Sequence, residues 1–378
     1  MQRPPADEGV LRVPPSRVWT DWPMPKRVLA RIPNWVGDVV MATPALRALK
    51  KGLPGAEIWV EGKGHMKSFL LDLPYVDHYL DDPGKGFANT RARIDGLKKI
   101  GFDLAVLFPD SPRSAWGPFR ARIPMRLGYS RELLRRSMLT HALHSPGEDR
   151  RRVPVSMIDR YLVLPRALGL PADGEHMDVA ISDGARTKVA ELLAGRGVDG
   201  GTPLVTVIPG AAFGASKMWP VEHFAKTLDL LYEREGLQAI LPTGPGEQEI
   251  AKAIAGHMQS PAVLMIDPIL SLEQVAALVE RSRLVLSNDT GPRQFAVALG
   301  IPVVVPIGPT DQRTTQHHLE RQRVLIEPVD CRPCCLKKCP IDHRCMTRIT
   351  PERAFAASQD LLQTFPAGAA PLAPAGEA

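Results

Sequence analysis

Leu284-Val285-Leu286-Ser287-Asn288-Asp289-Thr290-Gly291-Pro292 decides how this chain is read, because an apolar run gives way at once to a short polar turn closed by glycine and proline. That is the signature of a strand feeding directly into a helix. Similar junctions recur at Ile208-Pro209-Gly210 and at Lys217-Met218-Trp219-Pro220. A helix start presents backbone N–H groups without intrahelical partners and a partial positive charge, so several starts converging on one crevice form an anion site. The three segments together point to a crevice that holds a pyrophosphate, as in an enzyme that uses a sugar nucleotide.

Outward from that stretch the same grammar continues. The second half places strands at 204–208, 238–242, 263–266, 284–287 and 303–305, with helices between them. Pro220 suits a first helical position, Gly236 the residue past a helix end, Ser271 with Gln274 a capping box, and Gly300 the close of the helix after Pro292. The first half repeats the alternation, with strands at 28–32, 57–60 and 103–108 and a helix over 38–51. Alternating strands and helices predict an α/β fold of two Rossmann-like, doubly wound domains facing a central cleft. Glycines and Pro171 between residues 171 and 202 mark the boundary, giving a first domain over 27–180 and a second over 181–350. Thr350-Pro351 opens a last helix over 351–365, expected to pack back across the interdomain surface, while the arm 1–26 and the Pro/Ala-rich tail 366–378 lack periodicity and are expected to be disordered.

Composition narrows the classes. A chain of 378 residues that is 44% hydrophobic can bury two cores, and its net charge of +6 favours an acidic partner. No apolar run reaches the roughly 18 residues of a membrane span, and the N-terminal arm has no apolar signal core, so a cytosolic protein is expected. All five cysteines fall between Cys331 and Cys345. Cys331, Cys334, Cys339 and Cys345 lack the two CxxC pairs of a zinc ribbon, which leaves a compact zinc knuckle or a reduced structural loop, and in either case a structural role rather than a catalytic one. A zinc-bearing nucleic-acid binder is the non-enzymatic alternative; the chain lacks the aromatic-basic interleaving such a protein needs, so no nucleic acid is expected as partner.

Several side chains are candidates for chemistry. Asp38, in Pro33-Asn34-Trp35-Val36-Gly37-Asp38, falls where a strand turns into a helix, and reads either as a helix cap or as a carboxylate facing the crevice. Lys217 reads as a phosphate contact or as a solvated lysine. Gly291 lets a ligand approach the backbone beside Asp289 and Thr290, which otherwise cap the helix. Glu247, with Glu249 as alternative, is an acid at a strand's carboxyl end, able to accept hydrogen bonds from ribose hydroxyls or to serve only the helix dipole. Seven arginines, among them Arg113, Arg120 and Arg122, lie between 113 and 136 against a single acid, Glu132. They form a solvated face or a site for a second, anionic substrate.

Taken in order, Trp35-Val36-Gly37-Asp38, Pro209-Gly210, Lys217 with Trp219-Pro220, Asn288-Asp289-Thr290-Gly291-Pro292 and Cys331-Arg332-Pro333-Cys334 resemble the ADP-heptose:lipopolysaccharide heptosyltransferases over about residues 27–360. The resemblance implies a GT-B architecture and inverting, metal-independent transfer of heptose from ADP-heptose to the inner core of lipopolysaccharide, with no cofactor, peripherally at the cytoplasmic face of the inner membrane. It implies Asp38 as catalytic base, Lys217 as donor phosphate contact, and Pro209, Gly210, Thr290 and Gly291 around the pyrophosphate. Asp289 becomes a heptose-hydroxyl contact and Glu247 the ribose contact. It also implies a lipid A-Kdo or heptosylated acceptor, for which Arg113, Arg120 and Arg122 are the binding candidates. A GT-B enzyme with another nucleotide sugar or acceptor is the enzymatic alternative. The chain departs from the family pattern at Gln294 and at Ser156, where histidine is common.

Overall fold

The computed structural model describes residues 14–130, 132–144, 155–315 and 317–366. It separates into two compact units, the first running to Ala180 and including Arg313–His317, the second holding Ile181–Gln312 and the chain from His318.

Unit 1 contains β1 (Arg27–Arg31), α1 (Val36–Gly52), β2 (Glu57–Gly62), β3 (His78–Asp81), α2 (Phe87–Ile100), β4 (Leu104–Leu107), α3 (Pro112–Arg120), β5 (Met125–Tyr129), α4 (Leu133–Met138), β6 (His141–Leu143) and α5 (Met157–Ala167). Its sheet runs β3-β2-β1-β4-β5-β6 with every pairing parallel. Leu29, Ala105 and Leu107 form the floor of a core closed by Leu97, Ala115 and Met138 from three helices.

Unit 2 contains α6 (Asp183–Ala194), β7 (Leu204–Ile208), α7 (Val221–Glu235), β8 (Gln238–Pro242), α8 (Gln248–His257), β9 (Ala262–Met265), α9 (Leu272–Glu280), β10 (Leu284–Ser287), α10 (Arg293–Ala298), β11 (Val303–Pro306), β12 (Gln322–Leu325), α11 (Arg344–Thr347) and α12 (Pro351–Thr364). The sheet order is β12-β11-β10-β7-β8-β9, again all parallel. In each unit the chain builds three strands outward, returns to the centre, and builds three the other way. This places the switch point, where ligands of doubly wound sheets bind, between β1 and β4 in unit 1 and between β7 and β10 in unit 2.

The expected α/β class and central strands are present, and the Ser271–Gln274 capping box and the left-handed Gly236 and Gly300 close their helices as expected. β3, β5, β6 and β12 escape a periodicity reading. All but β5 are edge strands, and their sequences mix His, Arg, Asp and Gln with apolar residues because an edge is not covered on every side. Pro220 caps α7 from outside rather than opening it. α12 packs on α7, β11 and β12, with Ala354 and Leu361 in the core of unit 2. In the arm, residues 1–13 lie outside the described residues, as does the tail from 367. Residues 14–26 have no regular structure yet are tied to unit 1: the Trp19 N–H donates to Ala167 O at 2.8 Å, and the Trp19 ring meets His141 edge-on at 4.9 Å.

Candidate active site

The loops after β7, β8 and β10 gather most of the donor-site candidates at one edge of the unit 2 sheet. Asn288, wholly buried, fastens them: its Nδ2 donates to Pro209 O at 2.6 Å and its Oδ1 accepts from the Trp219 N–H at 3.0 Å. The turn carrying Lys217 is thereby held against the one carrying Asp289. Lys217 Nζ lies 2.6 Å from Asp289 Oδ2 and 3.1 Å from Asp289 O. Arg293 Nη1 approaches Asp289 Oδ1 at 3.2 Å and the Thr310 hydroxyl donates to Oδ2 at 2.9 Å. Burial works to raise the Asp289 pKa, but the Arg293 and Lys217 charges and the hydrogen bonds outweigh it and hold the carboxyl below its usual range.

Asp289, expected as a sugar-hydroxyl contact, is thus the counter-ion of two cations. Arg293, fully buried on α10, is a site residue the sequence reading passed over. Thr290, expected to offer its backbone N–H, has that group engaged by Asn288 O at 2.8 Å. Glu247 and Gly210 prove to be neighbours. The Glu247 Oε2 accepts from Gly244 N at 2.9 Å, and a β-carbon added at Gly210 would overlap the Glu247 carboxylate. A side chain at Gly210 would therefore have to displace the Glu247 carboxylate.

The cysteine-rich loop has a structural role at this same edge. Ser216 N donates to Lys337 O at 3.1 Å, Ser216 Oγ donates to Leu336 O at 2.5 Å, and His343 Nε2 sits 2.7 Å from Ser216 O. The loop thus braces the turn next to Lys217 from three sides. Its five cysteines are free thiols, with Cys331 and Cys335 exposed and Cys345 buried. Among the described residues no group of three or more His, Cys, Asp or Glu side chains is placed to hold a metal ion.

In unit 1, Asp38 is the third residue of α1, directly beyond β1 at the switch point. It is not the cap: that position is Trp35, which makes no side-chain capping bond. α1 packs on α5, which brings Tyr161 close to Asp38. Burial, and after it the negative charge of Asp38, push the Tyr161 hydroxyl well above its usual pKa, so the carboxylate neighbours a phenol that stays neutral. Across the switch, Asp110 after β4 pairs with Arg160 of α5. Ser156 Oγ lies 3.0 Å from Nδ1 of the buried His317. An imidazole thus stands beside the position where the sequence itself has none.

The arginine stretch separates by depth and position. Arg113, at the start of α3, lies at the carboxyl edge and donates from Nη2 to Gly84 O. It borders a cavity of about 490 Å³ between α2, α3 and α4, lined also by Lys85, Arg93, Trp116, Leu134 and Met138. Arg120 and Arg122 stand at the far end of α3, toward the amino ends of the strands, and are not brought together with Asp38 or Arg113. Arg135 is wholly buried and donates to Tyr129 O, Ser111 O, Pro109 O and the Ser114 hydroxyl, so it ties β5 to the β4–α3 loop. Burial pushes its guanidinium down to about 10. Arg126 similarly donates to Met138 O at 2.6 Å. Arg131 lies outside the described residues. Sequence counting could not separate these structural arginines from available ones.

Known proteins share both sequence and fold. A family model described as "Glycosyltransferase family 9 (heptosyltransferase)" matches residues 91–344. The lipooligosaccharide heptosyltransferase 2 of Haemophilus ducreyi is 30% identical over 355 residues, covering 89% of this chain and 99% of that protein. That of Haemophilus influenzae is 27% identical over 351 residues, covering 87% of this chain and 97% of that one. Among solved structures, a glycosyltransferase family 9 protein from Veillonella parvula superposes with a TM-score of 0.76 at 22% identity, covering 90% of this chain and 97% of that one. The E. coli ADP-heptose lipopolysaccharide heptosyltransferase II does so with a TM-score of 0.74 at 24% identity, covering 89% and 99%.

Proposed function

The chain belongs to glycosyltransferase family 9, the heptosyltransferases, and from that premise we propose that this glycosyltransferase, of GT-B fold, moves heptose from ADP-heptose onto the inner core of lipopolysaccharide. The observation that carries the reading is the meeting of Lys217, Asp289, Gly210 and Glu247 beside the switch point of unit 2, where a diphosphate and its ribose find a cation, an open backbone and a carboxylate.

In the proposed reaction the acceptor hydroxyl oxygen attacks the anomeric carbon of heptose and its proton passes to Asp38. The bond from that carbon to the diphosphate oxygen breaks, the electron pair leaves with ADP, and the configuration inverts. Charge gathers on the departing diphosphate, and Lys217, already fixed by its bonds to Asp289, is a preorganised partner for it. A fixed cation in that role makes a divalent ion dispensable. Glu247 takes the ribose hydroxyls. Arg113 and the adjoining cavity receive anionic groups of the acceptor; Arg120 and Arg122, at the other end of α3, are left out of this role. No helix among the described residues is long and apolar enough to cross a membrane, which fits work as a peripheral protein at the cytoplasmic face of the inner membrane.

The test offers purified protein ADP-heptose with heptose-free and singly heptosylated core acceptors, and reads the products by mass spectrometry. One of the two acceptors should gain the mass of one heptose with release of ADP. If neither does, while another nucleotide sugar is consumed, the donor assignment is wrong.

A further inference from the structure

The helices α2, α3 and α4, which border the cavity beside Arg113, also carry exposed apolar side chains. Phe87 is 85% exposed and Leu133 87%, and Leu134, Trp116 and Phe119 stand out beside them at 61%, 39% and 38%. These five are a large share of the exposed large apolar side chains among the described residues, yet they come from three short helices. Trp116 and Leu134 line one cavity together with Gly86, the residue before Phe87, while Leu133 directly precedes Leu134 in α4, and the Trp116 and Phe119 rings lie 6.2 Å apart. Isolated apolar side chains on a surface are ordinary, but a contiguous patch marks an interaction site.

Charge indicates the partner. Residues 85–138 hold twelve Lys and Arg against four Asp and Glu, an excess of eight, larger than the net +6 of the whole chain. The rest of the molecule is therefore slightly acidic, and although Arg135 is buried and Arg93 is paired with Glu61, part of the excess stands beside the apolar side chains. Lys85 and Arg113 line the cavity, and Arg120 lies over the Trp116 ring at 5.4 Å from its centroid. Aromatic and leucine side chains set among cations form the composition that enters the headgroup region of an anionic bilayer: the apolar groups insert, and each nearby cation adds attraction to the negative surface. α2 has only Leu97 buried, and Phe87, Ala88, Arg91, Ala92, Asp95, Gly96, Lys98 and Lys99 are exposed.

We propose that the α2–α3–α4 face of unit 1 is a docking surface for a bilayer rich in anionic phospholipid. This deepens the peripheral-membrane reading above by naming the surface. Because Arg113 and the cavity stand at the carboxyl edge with Asp38, docking there would bring a membrane-embedded acceptor to the catalytic edge without a transmembrane segment.

The test is cosedimentation of the full chain with vesicles of phosphatidylethanolamine and phosphatidylglycerol, and with phosphatidylcholine vesicles as reference. Binding should require the anionic lipid and weaken as salt rises. The double variant Phe87→Ser, Leu133→Ser, both exposed, should lose about tenfold or more in vesicle affinity while keeping the native melting temperature and ADP affinity. Native protein that stays in the supernatant with anionic vesicles, or a variant that binds as tightly as the native chain, overturns the proposal. So does a variant whose principal change is loss of a concentration-dependent dimer, because the face would then serve a second copy of the chain. Vesicle binding needs no turnover, so a wrong donor or acceptor assignment would leave this measurement intact.

Discussion

Lys217 Nζ and Asp289 Oδ2 lie 2.6 Å apart, joining two loops 72 residues apart in sequence. The pair is nearly shielded from water, with side-chain exposures of 14% and 9%. Asp289 therefore holds the ammonium in one place ahead of any ligand. A charge already positioned where negative charge develops costs no reorganisation during the reaction.

Lys217→Ala should lower kcat/KM for the donor by roughly 10² to 10³, the usual effect of removing one fixed donor to a developing anion. Arg293 remains on Asp289, so thermal unfolding should shift little. Steady-state kinetics with calorimetry separate the two effects, and a large loss of melting temperature with unchanged kinetics would make Lys217 purely structural.

The same carboxylate makes stability depend on pH. Its folded pKa lies below the unfolded value of about 3.9, so below neutrality the unfolded chain binds the extra proton first. Its contribution is complete above about pH 5 and falls away as pH drops through the lowered folded value. Urea midpoints measured between about pH 3 and pH 7 should fall on the acid side for the native chain. Asp289→Asn should be less stable at neutral pH and show a flatter acid limb; an identical acid limb would assign the dependence to other carboxylates.

Asp38→Asn keeps the shape of the side chain and removes the base. Turnover should drop by roughly 10² to 10⁴ while ADP affinity, a property of unit 2, remains as it was. Titration calorimetry with ADP beside a turnover assay reads both, and native turnover would remove Asp38 from the mechanism.

Gly210→Ala puts a methyl group where the Glu247 carboxylate now sits. Each of Gly210→Ala and Glu247→Ala should weaken nucleotide binding, and the double variant should be hardly worse than either alone, because both disturb one contact. Additive losses would mean that the two residues act separately.

Arg113→Ser should raise the acceptor KM, and Arg122→Ser should leave it unchanged, because α3 carries the two residues at or just beyond opposite ends. Equal effects from both would show that the acceptor is held by diffuse charge rather than by the edge cavity.

Part of this was legible along the chain. The central strands are apolar runs four or five residues long that end in Gly, Pro or Asn, and the periodicity of their neighbours marks the helices, so the alternation and the junctions at Asp38, Gly210, Lys217 and Asp289 could be read directly. Strand ends are local events encoded within a few residues. The mixed composition of His78–Asp81 and Gln322–Leu325 hid two edge strands for the corresponding reason: an edge needs less apolar cover.

What each polar side chain does depended on the sheet. Parallel pairing of β7 with β10 sets the Lys217 turn against Asp289 and gives that acid the charge of Lys217 as a partner. The turn from β4 into α3 surrounds Arg135 with carbonyls and so removes it from the acceptor candidates, although in sequence it is indistinguishable from Arg136. Ser156 and His317, 161 residues apart, meet only because the segment Arg313–His317 rejoins unit 1. Backbone preferences are local and so can be read residue by residue, whereas the partner of a charge is fixed by which strands become neighbours, and no short window of this chain contains that information.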